Sequence, residues 1–253
     1  MKLKNIFAML LSLVLLQANA QKTTSDQLET KKGPLTIQPV QHASVVLKWD
    51  NKTIYVDPSG GANLFAGMDA PDLILITDIH GDHMDLKTLE AINTSKATLV
   101  VPQAVADMLP AALKPKVVVL ANGAKTTKFG VNISAIPMYN LPETADSKHP
   151  KGRGNGYVIT AGEKNIYFSG DTEDIAEMRA LKNIDVAFVC MNLPYTMDVN
   201  QAAQAVLAFK PKIVYPYHYR GQSGLADVEA FKSQVNAGDK KIEVRLRNWY
   251  PGT

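Results

Sequence analysis

Within six residues, Asp78-Ile79-His80-Gly81-Asp82-His83 sets two imidazoles beside two carboxylates. Imidazole nitrogen and carboxylate oxygen are the donors that hold zinc and similar divalent cations. Cations held this way acidify water and polarise a carbonyl or phosphoryl oxygen, so the chemistry on offer is hydrolysis. The competing use is helix capping, in which Asp82 or Asp85 accepts from the first turn of a following helix. Capping accounts for one aspartate, not for two histidines and a second aspartate. Gly81 is expected to free the backbone so that the four donors converge.

The flanking residues say what positions this loop. Asp72-Leu73-Ile74-Leu75-Ile76 is a short apolar run that reads as a buried strand. Met84 to Ile92 carries apolar residues at helical spacing. The donors therefore sit in a strand-to-helix loop, where α/β proteins keep their chemistry. Upstream, Leu35–Val40, Ser44–Trp49 and Thr53–Asp57 read as strands, with Asp50-Asn51 turning the chain between the last two. Downstream, strands are expected at Ala97–Val101, Lys116–Leu120, Val131–Ile136, Tyr157–Thr160, Asn165–Phe168, Asp185–Cys190, Lys212–Tyr215 and Ile242–Leu246. Helices are expected at Gln103–Leu109, Glu173–Leu181, Asp198–Phe209 and Ala226–Val235. Two successive blocks of strands, each followed by helices, fit an α/β fold in which two sheets pack face to face with helices outside, an αββα sandwich. A doubly wound parallel sheet is the alternative, and the early hairpins count against it. Residues 137–156 lack periodicity, and a loop of that length within a compact domain is more often functional than accidental.

The chain has only five histidines, His42, His80, His83, His149 and His218, and all fall in loops or at strand ends. Asp171 and His218 also follow strands, although Asp171 could instead cap a helix. His-x-His-x-Asp-His is the signature of the metallo-β-lactamase fold superfamily, and the loop at 78–83 resembles it, with Asp78 where the first histidine would stand. Phe168-Ser169-Gly170-Asp171-Thr172 and Tyr215-Pro216-Tyr217-His218 are similar to the superfamily segments that supply a bridging aspartate and the last histidine. Gln41-His42-Ala43-Ser44, Tyr55-Val56-Asp57-Pro58, Tyr195-Thr196-Met197-Asp198 and the Lys-Gly pair after His149 look like the ascorbate-6-phosphate-lactonase-like branch.

The resemblance implies the metallo-β-lactamase fold over about residues 35–250 and a metal-dependent hydrolase with two divalent ions. It implies one metal position at Asp78, His80 and His149, with Asn140 as the alternative third donor. It implies another at Asp82, His83 and His218, with Asp171 bridging the two. Asp82, His42 and Tyr195 are the expected catalytic residues: Asp82 to orient the nucleophile, His42 to donate to an oxyanion or phosphate. Asp57 is expected to orient a ligand histidine, and Lys151 and Arg153 to meet an anionic substrate. Zinc is the first expectation; the extra carboxylate hardens the site toward manganese or iron.

Composition sets the address and narrows the partners. Met1-Lys2-Leu3-Lys4, an apolar run from Ile6 to Leu16 and Ala18-Asn19-Ala20 have the form of a cleaved signal peptide, residues 1–20. Export to a bacterial periplasm is the expected consequence, with no stable membrane insertion after cleavage. Residues 21–34 are expected to be a flexible lead-in and 35–253 the hydrolase domain. Cleavage would leave 25 basic against 24 acidic side chains, a net charge of +1. With no basic cluster carrying interleaved aromatics, the sequence gives no sign of nucleic-acid binding. The partner expected is a small-molecule substrate; oligomeric state is not encoded legibly. Cys190 is the only cysteine, so no disulfide staples the chain. The rival reading is a non-catalytic metal-binding protein whose first metal site has degenerated at Asp78 and Asn140.

Overall fold

The computed structural model describes residues 24–144 and 146–251; the signal-peptide segment lies outside the described residues. Two seven-stranded sheets face each other. The first contains β1 (Asp26–Leu28), β2 (Leu35–Gln41), β3 (Ser44–Trp49), β4 (Lys52–Val56), β5 (Leu73–Leu75), β6 (Thr98–Val101) and β7 (Val117–Val119), in that order across the sheet. The second runs from β8 (Lys125–Lys128) through β9 (Val131–Met138), β10 (Gly154–Ala161), β11 (Lys164–Phe168), β12 (Val186–Cys190) and β13 (Ile213–Tyr217). A short hairpin, β14 (Arg220–Gly221) and β15 (Gly224–Leu225), precedes β16 (Glu243–Val244), which pairs beside β13. Each sheet begins as an antiparallel meander and ends as parallel strands joined by crossovers.

Side-chain alternation explains why the central strands are apolar throughout. Along β3 to β6, Val45, Leu47, Ile54, Val56, Leu73, Leu75 and Val100 face the core between the sheets. Their neighbours Val46, Tyr55, Ile74, Leu99 and Val101 face outward into a second cluster. That cluster is closed by Leu89 of α1 (Leu86–Ala91) and Val105 of α2 (Gln103–Met108). A strand buried on both faces cannot show polar alternation. The second sheet is covered by α3 (Ala176–Arg179), α4 (Val199–Phe209) and α5 (Val228–Gly238). Phe168, Phe188 and Tyr215 stack across its parallel strands at 4.7 and 4.9 Å, and Trp249 meets Phe188 edge-on at 6.1 Å. That contact anchors the C-terminal segment and brings Tyr250 toward the loops at one end of the sandwich.

The local signals that held are those with a mechanism behind them. Asp50 and Asn51 both have positive φ, 49° and 59°, as a two-residue hairpin turn requires. Asp85 caps α1, accepting from Lys87 and Thr88 amides, which leaves Asp82 free for the loop. Asp198 and Gln201 form a reciprocal capping box on α4. Other expectations need correction. The stretch expected to be a flexible lead-in contains β1, whose Asp26 pairs with Arg247 and accepts from the Tyr215 hydroxyl at 2.8 Å. The helix expected at Glu173–Leu181 narrows to α3, because Ile175 is extended and buried ahead of it. The last expected strand shortens to β16. Gly81 does not use its freedom: its φ is not positive and a Cβ there would meet open space. The donors converge instead through a tight turn in which the His80 carbonyl accepts from the amides of His83 (3.0 Å) and Met84 (2.8 Å).

Candidate metal centre

The loops after β2, β4, β5, β9, β11 and β13 meet at one end of the sandwich. They bring together His42, Asp78, His80, Asp82, His83, His149, Asp171 and His218, with Tyr195 beside them. These donors resolve into two groups. Asp78, His80 and His149 form the first; His83, Asp171 and His218 form the second, extended by Asp82 and His42. Asp171 lies between them: its Oδ2 is 3.0 Å from His149 Nε2 and 3.2 Å from His83 Nε2, and its Oδ1 is 3.3 Å from His218 Nε2. It caps no helix; α3 begins beyond Ile175 without a side-chain cap. Gly170 makes this placement possible, with φ +60 and no room for a Cβ, which would fall 2.6 Å from Met138 Sδ.

The imidazoles are aimed from behind. His83 is fully buried and donates from Nδ1 to Asp57 Oδ2 at 2.9 Å. Asp57 is itself held by the Thr77 amide (2.7 Å) and the Thr77 hydroxyl (2.6 Å). With one proton committed from Nδ1 to Asp57, His83 has Nε2 to offer a cation that displaces any proton there. His149 is fixed by Asn140, whose Oδ1 accepts from the His149 amide at 2.8 Å and lies 3.1 Å from Nδ1. The Asn140 amide nitrogen donates to the Tyr195 carbonyl at 2.8 Å and to Glu173 at 3.2 Å. Asn140 therefore does not face the centre; it orients His149, which does. His42 spans from the Tyr250 hydroxyl, 2.7 Å from Nδ1, to Asp82 Oδ2, 3.0 Å from Nε2.

The centre suits a cation. His83 Nε2 and His218 Nε2 face each other at 3.1 Å, with Asp171 and Asp82 oxygens about them. His149 Nε2 and Asp171 Oδ1 are buried and have charged neighbours at 3.0 and 3.3 Å but no well-aligned hydrogen bond. Unpartnered buried polar atoms are costly, and donors of this type converging on one volume are what divalent ions require. Burial pushes the Asp171 carboxyl up, yet the imidazoles of His218 and His83 outweigh it and hold the group well below the usual carboxylate range. Asp82 is likewise depressed, its burial overcome by hydrogen bonds from His218 and His42. His83 moves the opposite way: desolvation lowers it, but Asp171 and Asp57 raise it well above an ordinary imidazole. Burial lowers His42, against the pull of Asp82.

A cavity of about 230 Å³ opens onto this centre, lined by His80, Asp82, Lys148, His149, Asp171, Asn192 and Tyr195. The two cations expected at this rim are engaged elsewhere. Lys151 pairs with Glu143 and Glu177 and lies over the Tyr139 ring, while Arg153 grips Asp78. Lys148, which the sequence reading passed over, is the exposed cation on the cavity wall. Its only signal was adjacency to His149. Cys190 is buried at the end of β12, donates to the Thr172 carbonyl and has its thiol pushed up to about 11 by burial, so it is no ligand thiolate.

The sandwich and its end-on donor cluster define the class: the chain belongs to the beta-lactamase superfamily, whose domain matches residues 36–218, and within it to the metal-dependent hydrolases. It is 32% identical over 216 residues to a UPF0173 metal-dependent hydrolase of Pyrococcus horikoshii, covering 81% of this chain and 93% of that one. A solved structure from Parabacteroides distasonis, assigned as a metal-dependent hydrolase, superposes with a TM-score of 0.80 at 38% identity, over 90% of this chain and all of the other. Igni18, a metallo hydrolase of Ignicoccus hospitalis, shares the fold with a TM-score of 0.70 at 24% identity, over 87% of this chain and 96% of its own.

Proposed function

We propose that this chain is an exported hydrolase that cleaves an ester, lactone or phosphodiester bond in a small substrate, using two divalent ions. The observation that carries this reading is Asp171, one buried carboxylate within 3.2 Å of a histidine from each donor group. When bound, such ions supply an acidified water and a Lewis acid for the oxygen of the bond under attack. The first ion would be held by Asp78, His80 and His149, the second by Asp82, His83 and His218, with Asp171 shared. Zinc suits the imidazoles; the added carboxylate of Asp78 makes manganese or iron a good fit as well.

The chain's own groups then divide the work. Asp82, ionised and tethered by His42, accepts a hydrogen bond from the attacking water and orients it. The Tyr250–His42–Asp82 chain keeps that carboxylate from rotating. Tyr195 and Lys148 meet the substrate from the cavity wall, Lys148 favouring a negatively charged group. The cavity is small for a drug-sized ligand, which favours a compact substrate. The lactonase-like branch is supported by the patches around His42, Asp57 and Tyr195 and by this size. Among the described residues no helix is long and apolar enough to cross a membrane, and the signal-peptide pattern supports export.

One observation favours the rival, a metal-binding protein without turnover: Asp78 already has a cationic partner in Arg153. The deciding experiment measures metal content per chain by elemental mass spectrometry, then hydrolysis of chromogenic esters, lactones and phosphodiesters with and without chelator. About two ions per chain with chelator-sensitive turnover supports the hydrolase. Bound metal with no turnover across the panel supports the rival.

A further inference from the structure

The side chain of Arg153 binds Asp78, a member of the first donor group, with two parallel hydrogen bonds. Its Nε is 3.1 Å from Oδ1 and its Nη2 is 2.9 Å from Oδ2. Asp78 is fully buried, and Oδ2 also lies 2.8 Å from His80 Nδ1. The carboxylate that replaces a neutral imidazole in this superfamily is thus already satisfied, by a cation that does not deprotonate.

The pairing is built into the backbone. Gly154 lies against the metal loop: a Cβ there would come within 2.8 Å of the Thr77 carbonyl, the residue before Asp78. The Asn155 amide donates to that same carbonyl at 2.9 Å, and Asn122 holds the Gly154 carbonyl at 2.8 Å. Arg153, between Gly152 and Gly154, is therefore carried to Asp78 by pinned chain rather than by a free loop. The second donor group has no such neighbour. Asp82 and Asp171 have only histidines within ion-pair distance among the described residues.

We infer that Arg153 makes the two metal positions unequal, so that Asp78, His80 and His149 hold a weak, exchangeable ion while His83, Asp171, His218 and Asp82 hold the one that stays. This rests on the two-ion reading above. An ion on Asp78 Oδ2 must share that oxygen with a permanent positive charge, inside a buried region where repulsion is poorly screened. With Asp171 shared, each position meets two carboxylates, but among the described residues only the first has a permanent cation within ion-pair distance. The enzyme's occupancy, and with it its activity, then follows the free metal concentration of its surroundings.

The test is metal binding by the full-length metal-free protein, titrated with Zn²⁺ and with Mn²⁺ in competition with a chromophoric chelator. Wild type is expected to bind in two steps of distinct affinity. With that repulsion removed, Arg153→Met should tighten the weaker step about tenfold or more and leave the tighter step unchanged. Equal steps in wild type, or a weaker step that loosens in Arg153→Met, would overturn the inference; the latter would make Arg153 a support for Asp78. A second ion bound by Arg153→Met but not by wild type would support it. One ion in both proteins would remove the two-ion reading itself, and this inference with it. Because Arg153→Met leaves the buried Asp78 carboxylate with only histidines beside it, a second comparison removes that carboxylate. Asp78→His with Arg153→Met should bind the weaker ion about tenfold more tightly than Asp78→His alone; equal affinities would refute the role of Arg153.

Discussion

Replacing Asp57 by asparagine removes one charge and almost no volume, yet it should cost the second metal position most of its hold. The Asp57 carboxylate accepts three hydrogen bonds, from the Thr77 amide, the Thr77 hydroxyl and His83 Nδ1. An asparagine has one oxygen to give. If that oxygen stays with the Thr77 amide, the new NH₂ faces His83 Nδ1, which must then accept. The His83 proton moves to Nε2, the atom 3.2 Å from Asp171 and 3.1 Å from His218, and that nitrogen no longer has a lone pair for an ion. If the amide flips, His83 keeps its tautomer, but a buried N–H loses its acceptor at a cost of about 1–3 kcal/mol in stability. Loss of an orienting partner behind a ligand histidine typically weakens metal affinity about 10- to 100-fold, equivalent to about 1.4–2.8 kcal/mol. Chelator competition with Zn²⁺ measures this directly on wild type and Asp57→Asn, with thermal unfolding of both metal-free proteins as the control. Unchanged affinity and unchanged stability together would refute the assignment of Asp57 as the group that sets the His83 tautomer.

Asp171→Asn should strip both positions, since one oxygen serves both donor groups; elemental analysis should find little bound metal, and retention of about two ions would sink the bridging role. Asn140→Ala should cost about 1–3 kcal/mol in denaturant unfolding and loosen the first position only, because His149 loses its acceptor while the second group is untouched. The metal-free protein should be more stable near pH 5 than near pH 8. The depressed Asp171 and Asp82 stabilise fully above their unfolded value of 3.8 and lose that contribution as pH falls through it and below. The raised His83 stabilises fully below 6.5 and loses its contribution as pH rises through its elevated folded value, outweighing the lowered His42, which acts the other way. Added metal should reverse the preference, because it competes with that proton; thermal scans from pH 5 to 8 with and without Zn²⁺ check both signs.

The centre was legible to the degree that single residue types were. Histidine is scarce, and a chain that places all five in loops or at strand ends has little else to do with them. The strand before the loop was legible because burial on both faces leaves an unbroken apolar run, as at Leu73–Leu75. What stayed hidden depends on partners distant in sequence. Asn140 looked like a weak ligand because its position matched the expected one; only the fold shows its oxygen turned to His149. Arg153 looked like a substrate-binding cation because its partner, Asp78, lies 75 residues earlier. Tyr250, which steadies His42 across 208 residues, carries no local signal at all. β1 was missed since three polar-flanked residues gain their pairing from β2 and their ion pair from Arg247, not from any period of their own.

The donors come from both sheets: His80 and His83 from the loop after β5, Asp171 and His218 from the ends of β11 and β13. His83 and His218, 3.1 Å apart, are separated by 135 residues. Neither half of the chain can assemble this cluster alone, so it forms only when the two sheets have docked in register. Contacts of such long sequence separation carry a larger loop-closure cost than the local meanders and crossovers do. Metal capture at this cluster would therefore report a finished fold, and a cation bound there would tie together the open end of a sandwich that has no disulfide to close it.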